Sequence, residues 1–265
     1  MTAIEPTSMI NEYLSFLNDK AFPCVGAKAA LARGQIKCMV AGHMACPKDD
    51  GAILQFLYDF VDSYREGIRH QDRQGATDGL FHSAAVLFTG PPFAGREGVG
   101  EGAGEGVGEG TREGLGEGAG EGLFEAWLWQ RLQALADLDA REHVFDPRVD
   151  SDPSAPNFSF SLKEEAFFVI GLHPASSRAS RRFKYPVLAF NPHAQFQLLR
   201  ENDHYESMKA VVRRRDIAYS GSINPMLDDF GNSSEAAQYS GSQYESDWRC
   251  PLKINHAQPN DNTSP

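Results

Sequence analysis

The sequence predicts a single α+β domain in which helices cover a mostly antiparallel sheet, and three observations support this fold class. The chain has 265 residues, of which 41% are hydrophobic and 11% aromatic, enough for one substantial core. Three short apolar runs typical of strands follow one another between residues 157 and 191. The first two are separated only by the charged turn KEE at 163–165, which is typical of a hairpin. We expect this domain to span residues 8–252.

The first third of the chain mixes helical periodicity with short apolar runs. Its predicted helices are SMINEYLSFLND (8–19), CVGAKAALARG (24–34) and DDGAILQFLYDFVDSYREGI (49–68). Its predicted strands are IKCMVAG (36–42) and HSAAVLFTGPP (82–92), the second stopped by its Gly-Pro pair.

The tract GREGVGEGAGEGVGEGTREGLGEGAGEG, residues 95–122, has Glu at every fourth position and holds 13 of the chain's 25 Gly. Like charges at that spacing repel one another on a helix, and each Gly costs about 1 kcal/mol relative to Ala. Because the tract has little to bury, we predict a disordered Gly/Glu-rich loop inside the domain. The final residues, 253–265, are predicted to be a disordered tail.

After the tract, the chain first forms the strongest amphipathic helix, LFEAWLWQRLQALADLDA (123–140). The predicted strands NFSFSL (157–162), AFFVIGL (166–172) and YPVLAFN (185–191) follow, and then the helices HAQFQLLRE (193–201) and HYESMKAVVRRRDIAY (204–219). The last part, 220–253, is rich in Gly, Ser and Asn, and we expect it to cover or line a site.

Composition excludes several classes of protein. A net charge of −11 argues against nucleic-acid binding, and no run approaches the roughly 20 apolar residues that a membrane span needs. The N-terminus lacks the basic-then-apolar order of a secretory signal. Four Cys without a CxxC pair indicate reduced thiols and a cytoplasmic location.

The segment FFVIGLHPASSRASRRFKYPVLAFNPHAQF, residues 167–196, places a histidine at each of two strand exits, with arginines between them. A neutral imidazole beside a turn is well placed to ligate a metal, and an arginine cluster can bind carboxylates or phosphates. These residues are His173 and His193, with Arg178, Arg181 and Arg182. From the residues alone, a carbonyl-bonded histidine and a solvated basic patch remain the simpler interpretation.

The direction of the two strands decides whether the histidines can meet. If strands 166–172 and 185–190 form a hairpin, their exits lie about 20 Å apart at ~3.3 Å per residue, and one metal ion cannot bind both imidazoles. If they are parallel, both exits share one sheet edge. The connection at 173–185 permits either arrangement.

Cys24 stands at the predicted start of a helix, where the helix dipole is expected to lower its pKa and favour a thiolate. The common alternative is a small buried apolar side chain.

Three stretches together resemble the YqcI/YcgG family: FPCVGAKAAL, FSFSLKEEAFFVIGLHPASSRASRRFKYPVLAFNPHAQFQLLR and RRRDIAYSGSINPMLDDFGNSSEAAQYSG. Within that family they are most similar to the guanitoxin-type heme-dependent N-hydroxylases, which are related to the heme protein that hydroxylates arginine in D-cycloserine biosynthesis. The resemblance covers about 20 to 252, apart from the Gly/Glu-rich tract.

This resemblance implies a heme b and a monooxygenase that hydroxylates a guanidine-type or amine nitrogen of an arginine-like amino acid. Heme needs an axial ligand, cations for its propionates and an apolar slot. We expect His173 to be the iron ligand, and the cluster Arg178, Arg181 and Arg182 to bind the propionates. His193 is the second choice of ligand, or a catalytic group on the other side of the heme. Cys24 stays a candidate because thiolate ligation promotes O–O cleavage.

Other roles follow from the chemistry of such a site. A histidine ligand becomes more basic when a carboxylate accepts its other N–H, for which Asp216, Asp228 and Asp229 are candidates. A guanidinium substrate is expected to pair with a carboxylate, and Asp228, Asp229 or Glu235 can supply one. Electrons are expected from an external donor, or from peroxide. The alternatives are a heme-binding sensor without turnover, and a cysteine-nucleophile enzyme that uses Cys24 with His173 as its base.

Overall fold

The computed structural model describes residues 5–72, 81–89, 117–201, 205–224, 226 and 231–256. They include the helices α1 (Pro6–Asn18), α2 (Val25–Ala32), α3 (Asp50–Asp72), α4 (Glu117–Asp139), α5 (His193–Glu201) and α6 (Tyr205–Ser220). The strands are β1 (Ile36–Ala41), β2 (Ser83–Phe88), β3 (Phe160–Leu162), β4 (Glu165–Leu172) and β5 (Val187–Pro192).

The five strands form one sheet in the order β1-β2-β5-β4-β3. Only β1 and β2 run parallel, joined by the long helix α3, while the other three pairings are antiparallel. The predicted α+β class with a mostly antiparallel sheet is therefore confirmed. The predicted hairpin is also present, because Leu162 pairs with Glu165 across a two-residue turn. Both turn residues, Lys163 and Glu164, have positive φ, as tight hairpin turns require.

The two faces of the sheet carry different layers because alternate strand residues point to opposite sides. One face packs against α3 and α4 in the larger core, to which β5 contributes Leu188 and Phe190. The opposite face holds Ala85, Leu87 and Val187, and packs against α1 near Met9 and Tyr13. That second face is only partly filled, and this is where a cavity forms.

Two predicted segment boundaries were wrong. The predicted loop 95–122 ends too late, because α4 already begins at Glu117. Later turns of α4 hold the helix in the core through the buried side chains of Phe124 and Leu128. Residues 95–116 lie outside the described residues. Of the predicted tail 253–265, the first residues pack against α4: the backbone N–H of Lys253 donates to Gln133, and His256 is buried. Residues 257–265 lie outside the described part.

Among the residues that the structure describes, no helix is both long enough and apolar enough to cross a bilayer.

Candidate functional site

A cavity of about 300 Å³ lies between the partly filled sheet face and the helices α2, α5 and α6. Its sheet wall is formed by Phe168, Ile170 and Ala189, and α6 contributes Met208 and Val212. A mainly apolar space of this size, with a few polar groups facing it, is typical of small-molecule sites.

Arg178 and Arg181 line this cavity and stand near the end of β4. Arg178 is buried and donates to Asp216 across 2.5 Å and to the carbonyl of Ser222 across 3.0 Å. Its charge is therefore balanced by a carboxylate on α6. Because Asp216 is occupied in this way, the structure gives it a partner other than the predicted histidine.

Arg181 is held by backbone oxygens instead of by a carboxylate. Its guanidinium donates to the carbonyls of Gly171, Gln238 and Tyr239 across 3.0–3.3 Å. Burial, together with the charge of Arg178, lowers the pKa of Arg181 to about 10. A group kept positive in such surroundings favours an anion beside it.

Of the three arginines predicted to form a cluster, only Arg178 and Arg181 line the cavity. Arg182 is exposed, its guanidinium donates to the carbonyls of Ser176 and Ser177, and it is not among the cavity-lining residues. The loop geometry therefore separates Arg182 from Arg178 and Arg181.

His193 lines the cavity near its opposite end, at the first position of α5. His193 is 3% exposed, and burial lowers the pKa of its imidazole to about 4, helped by the charge of Arg200. A neutral imidazole is the form that ligates metals.

His173 lies on the other side of the sheet. Its imidazole stacks on Phe124 of α4 with ring centroids 4.2 Å apart, and burial lowers its pKa to about 3. It does not belong to the described residues that line the cavity. The antiparallel register also places the two histidines at opposite ends of the strand pair, since Leu172 pairs with Val187 and Phe167 with Pro192. They cannot share one metal ion.

Glu235 is a buried carboxyl that faces the cavity from the 3₁₀ turn Glu235–Gln238. Its Oε1 accepts hydrogen bonds from Ser159 across 2.6 Å and from Tyr239 across 2.7 Å. Ser159 also lies 3.3 Å from the carbonyl of Phe167. Phe167 pairs with Pro192, the residue before His193. Glu235 therefore lies at the same end of the cavity as His193. Burial raises the pKa of Glu235 to about 8. The other predicted carboxylates, Asp228 and Asp229, lie outside the described residues.

Cys24 caps α2, where its Sγ accepts a hydrogen bond from the N–H of Ala27, and it lines the cavity. The expected lowering of its pKa was wrong: burial raises the pKa of this thiol and outweighs the backbone N–H groups, which lower it. The helix start was predicted correctly, but the depth of the site was not visible in the sequence.

Sequence reasoning missed two polar side chains in the cavity, Asn191 and Gln195, which flank His193. The side-chain amide of Asn191 donates to the carbonyl of Phe168, and Oε1 of Gln195 accepts from the backbone N–H of His82. A helix that starts at a strand end next to a histidine was visible in NPHAQF, but the inward direction of Gln195 was not.

A family model described as the YqcI/YcgG family matches residues 13–87 and 113–253. No curated protein and no solved structure matches the chain significantly.

Proposed function

The chain belongs to the YqcI/YcgG family, and from this premise we propose that it is a heme-dependent N-hydroxylase of a guanidine-type or amine nitrogen of an arginine-like amino acid. One observation carries the proposal. A single apolar cavity brings together a neutral histidine, two arginines and a buried carboxyl, contributed by His193, Arg178, Arg181 and Glu235. The membership in the guanitoxin-type branch is part of the proposal.

The residues around the cavity fit a heme b. His193 supplies the imidazole, whose lowered pKa keeps it unprotonated at neutral pH. The wall of Phe168, Ile170 and Ala189 supplies the apolar slot. For a heme in this cavity we therefore propose His193 as the iron ligand in place of His173, which packs against Phe124. Cys24 is the alternative ligand, at the cost of deprotonating a thiol whose pKa is raised.

The two arginines suit the propionates at the other end of the cavity. The guanidinium of Arg181 donates its hydrogen bonds to backbone carbonyl oxygens. None of these partners carries a negative charge that would neutralise the arginine. Arg178 stands beside it and is fixed by Asp216. Positive charge held by neutral acceptors favours a carboxylate ligand.

When bound, the heme supplies the activation of oxygen for transfer to nitrogen, and the chain supplies substrate recognition. Glu235 is the proposed partner of the substrate's cationic nitrogen. With a pKa of about 8, it is mainly protonated at neutral pH. An approaching guanidinium favours the carboxylate, so binding releases a proton from Glu235. The electrons come from an external donor or from peroxide.

The test is the absorption spectrum of the full chain, purified from cells supplied with a heme precursor, in the oxidised, reduced and carbon-monoxide-bound states. We compare the wild type with His193→Gly, His173→Ala and Cys24→Ala. The proposal expects a Soret band that only His193→Gly loses, and that added imidazole restores. Loss only in Cys24→Ala assigns the thiolate.

Two other outcomes decide between functions. A wild-type protein without heme absorbance contradicts the proposal. A heme spectrum that neither arginine nor a cyclic guanidine perturbs, with no hydroxylated product, favours a heme-binding sensor instead.

A further inference from the structure

The hydroxyl of Tyr64 and Nε2 of His82 are buried atoms for which the described residues supply no hydrogen-bond partner. Tyr64 is on α3 and is 1% exposed, and His82 stands directly before β2. A buried polar group without a partner costs about 1–3 kcal/mol. Native proteins keep such groups mainly where bound water or a function accounts for them.

The rings of these two residues are in contact. They meet edge to face, with centroids 5.3 Å apart. A Cβ built on Gly67, one turn beyond Tyr64 on α3, would lie 3.9 Å from Cε1 of His82. Because Cε1 is bonded to Nε2, this end of the imidazole faces α3. A water molecule between the hydroxyl and Nε2 gives each of them a partner, which is the usual role of buried water.

The pair connects the cavity to a second, charged cleft. His82 lines the cavity, whereas Tyr64 lines a cleft of about 410 Å³ that also has Arg148 and Glu165 in its walls. The separation is thin at the start of α5, where His193 lines the cavity and the next residue, Ala194, lines the cleft. The contact between Tyr64 and His82 therefore leads from the cleft to the cavity.

The proposed reaction needs a route for protons. When one atom of O₂ is transferred to nitrogen with electrons from an external donor, the other atom leaves as water, so protons must reach the mainly apolar cavity. We propose that Tyr64 and His82, bridged by a water molecule, form the relay that carries these protons from the cleft to the cavity. A hydroxyl and an imidazole can each accept a proton and release another, as a relay requires. This inference rests on the proposed function.

The variants follow from the geometry. Tyr64→Phe removes the hydroxyl and keeps the ring, and because no described residue loses a hydrogen bond, the fold should be retained. His82→Phe keeps a ring against Tyr64 but removes both nitrogens. Tyr58→Phe is the matched control on α3, since its hydroxyl donates to Asp139 and it is not among the described residues that line the cavity or the cleft.

The first measurement needs no turnover. Nitrogen NMR spectra of the full chain with labelled histidines, reduced and bound to carbon monoxide, report on Nε2 of His82, and the signal missing in His82→Phe assigns it. We expect Tyr64→Phe to shift this signal and Tyr58→Phe to leave it in place. A signal that both variants shift, or that neither shifts, would overturn the proposed link.

The second measurement separates proton delivery from damage to the site. Hydroxylation of L-arginine by the heme-loaded protein is driven either by O₂ with ascorbate as electron donor, or by hydrogen peroxide, which brings its own protons. Tyr64→Phe and His82→Phe should slow the O₂ reaction by about 10-fold or more and the peroxide reaction by less than about 3-fold. Tyr58→Phe should slow neither.

Equal slowing with both oxidants, or an unchanged O₂ reaction in Tyr64→Phe, would overturn the relay and leave the proposed function standing. A wild type without heme absorbance would overturn the proposed function, and the relay with it.

Discussion

Tyr239 donates its phenolic hydrogen to Oε1 of Glu235 across 2.7 Å, inside a fully buried part of the domain. Ser159 donates to the same oxygen. Two donors normally favour the ionised carboxylate, yet burial is the larger effect and raises the pKa of Glu235 to about 8. The proton affinity of this carboxyl is thus set mainly by its depth.

The first prediction is a pH dependence of stability. The pKa of Glu235 is near 4.5 in the unfolded chain and about 8 in the folded chain. Its contribution to stability is therefore fully present below about pH 4.5, and it is lost as the pH rises towards 8. The free energy of unfolding should therefore fall between pH 5 and pH 8 more steeply for the wild type than for Glu235→Gln. Urea unfolding at several pH values measures this. Parallel curves for the two proteins would contradict it.

The second prediction separates the two buried serines of the β3 region. Ser159→Ala removes a donor from Glu235, whereas Ser161→Ala removes the acceptor of the Asp146 backbone N–H. We expect each to lower the free energy of unfolding by about 1–2 kcal/mol. Only Ser159→Ala should move the pH at which Glu235 titrates upward, as seen in its urea-unfolding profile. A similar upward shift in Ser161→Ala would show that the effect is unspecific.

The third prediction concerns Gly171, near the C-terminal end of β4. A Cβ at this position would lie 2.7 Å from the ring of Phe124 and 2.9 Å from the carbonyl of Tyr239. Gly171→Ala should therefore destabilise the fold by about 1–3 kcal/mol. Gly122→Ala in α4 meets nothing within 4 Å and should be neutral or stabilising by up to about 1 kcal/mol. Thermal unfolding compares the two, and equal midpoints would refute the packing argument.

The fourth prediction uses two aspartates on α4. Asp139 is fully buried and accepts hydrogen bonds from the Tyr58 hydroxyl and the Lys163 backbone N–H, while His256 lies 2.7 Å away. Asp139→Ala leaves these groups without their partner and should cost about 3–5 kcal/mol. Asp137 is half-buried and accepts from the side chains of Gln133 and Asn255, so Asp137→Ala should cost only about 1 kcal/mol. Denaturant unfolding decides this, and a small loss in Asp139→Ala would contradict it.

The sequence was sufficient to predict the main helices and strands and the class of the fold. The periodicity of residues 49–68 and the alternation through 157–191 are local signals, and the structure has a helix and three strands in those places. The end of the Gly/Glu-rich tract was misjudged because Glu117–Gly122 continue a helix that is stabilised by tertiary packing, which outweighs the low helix propensity of Gly.

The candidate site was only partly accessible from the sequence. Cys24, Arg178, Arg181, His193 and Glu235 do face one cavity. The sequence alone could not decide whether His173 or His193 faces the cavity, because this depends on which face of the sheet each imidazole lies on. A one-residue difference in strand phase moves a side chain from one face to the other.

The position of β1 at the edge of the sheet has a consequence for solubility. Its neighbour on one side is β2, and none of the described strands pairs with its other side. The strand reads IKCMVA, so Lys37 is its single charged residue, and that side chain is exposed. Charged residues on edge strands discourage pairing between molecules. Lys37 therefore disfavours pairing of this sheet edge with the same edge of a second copy, a task separate from any chemistry in the cavity.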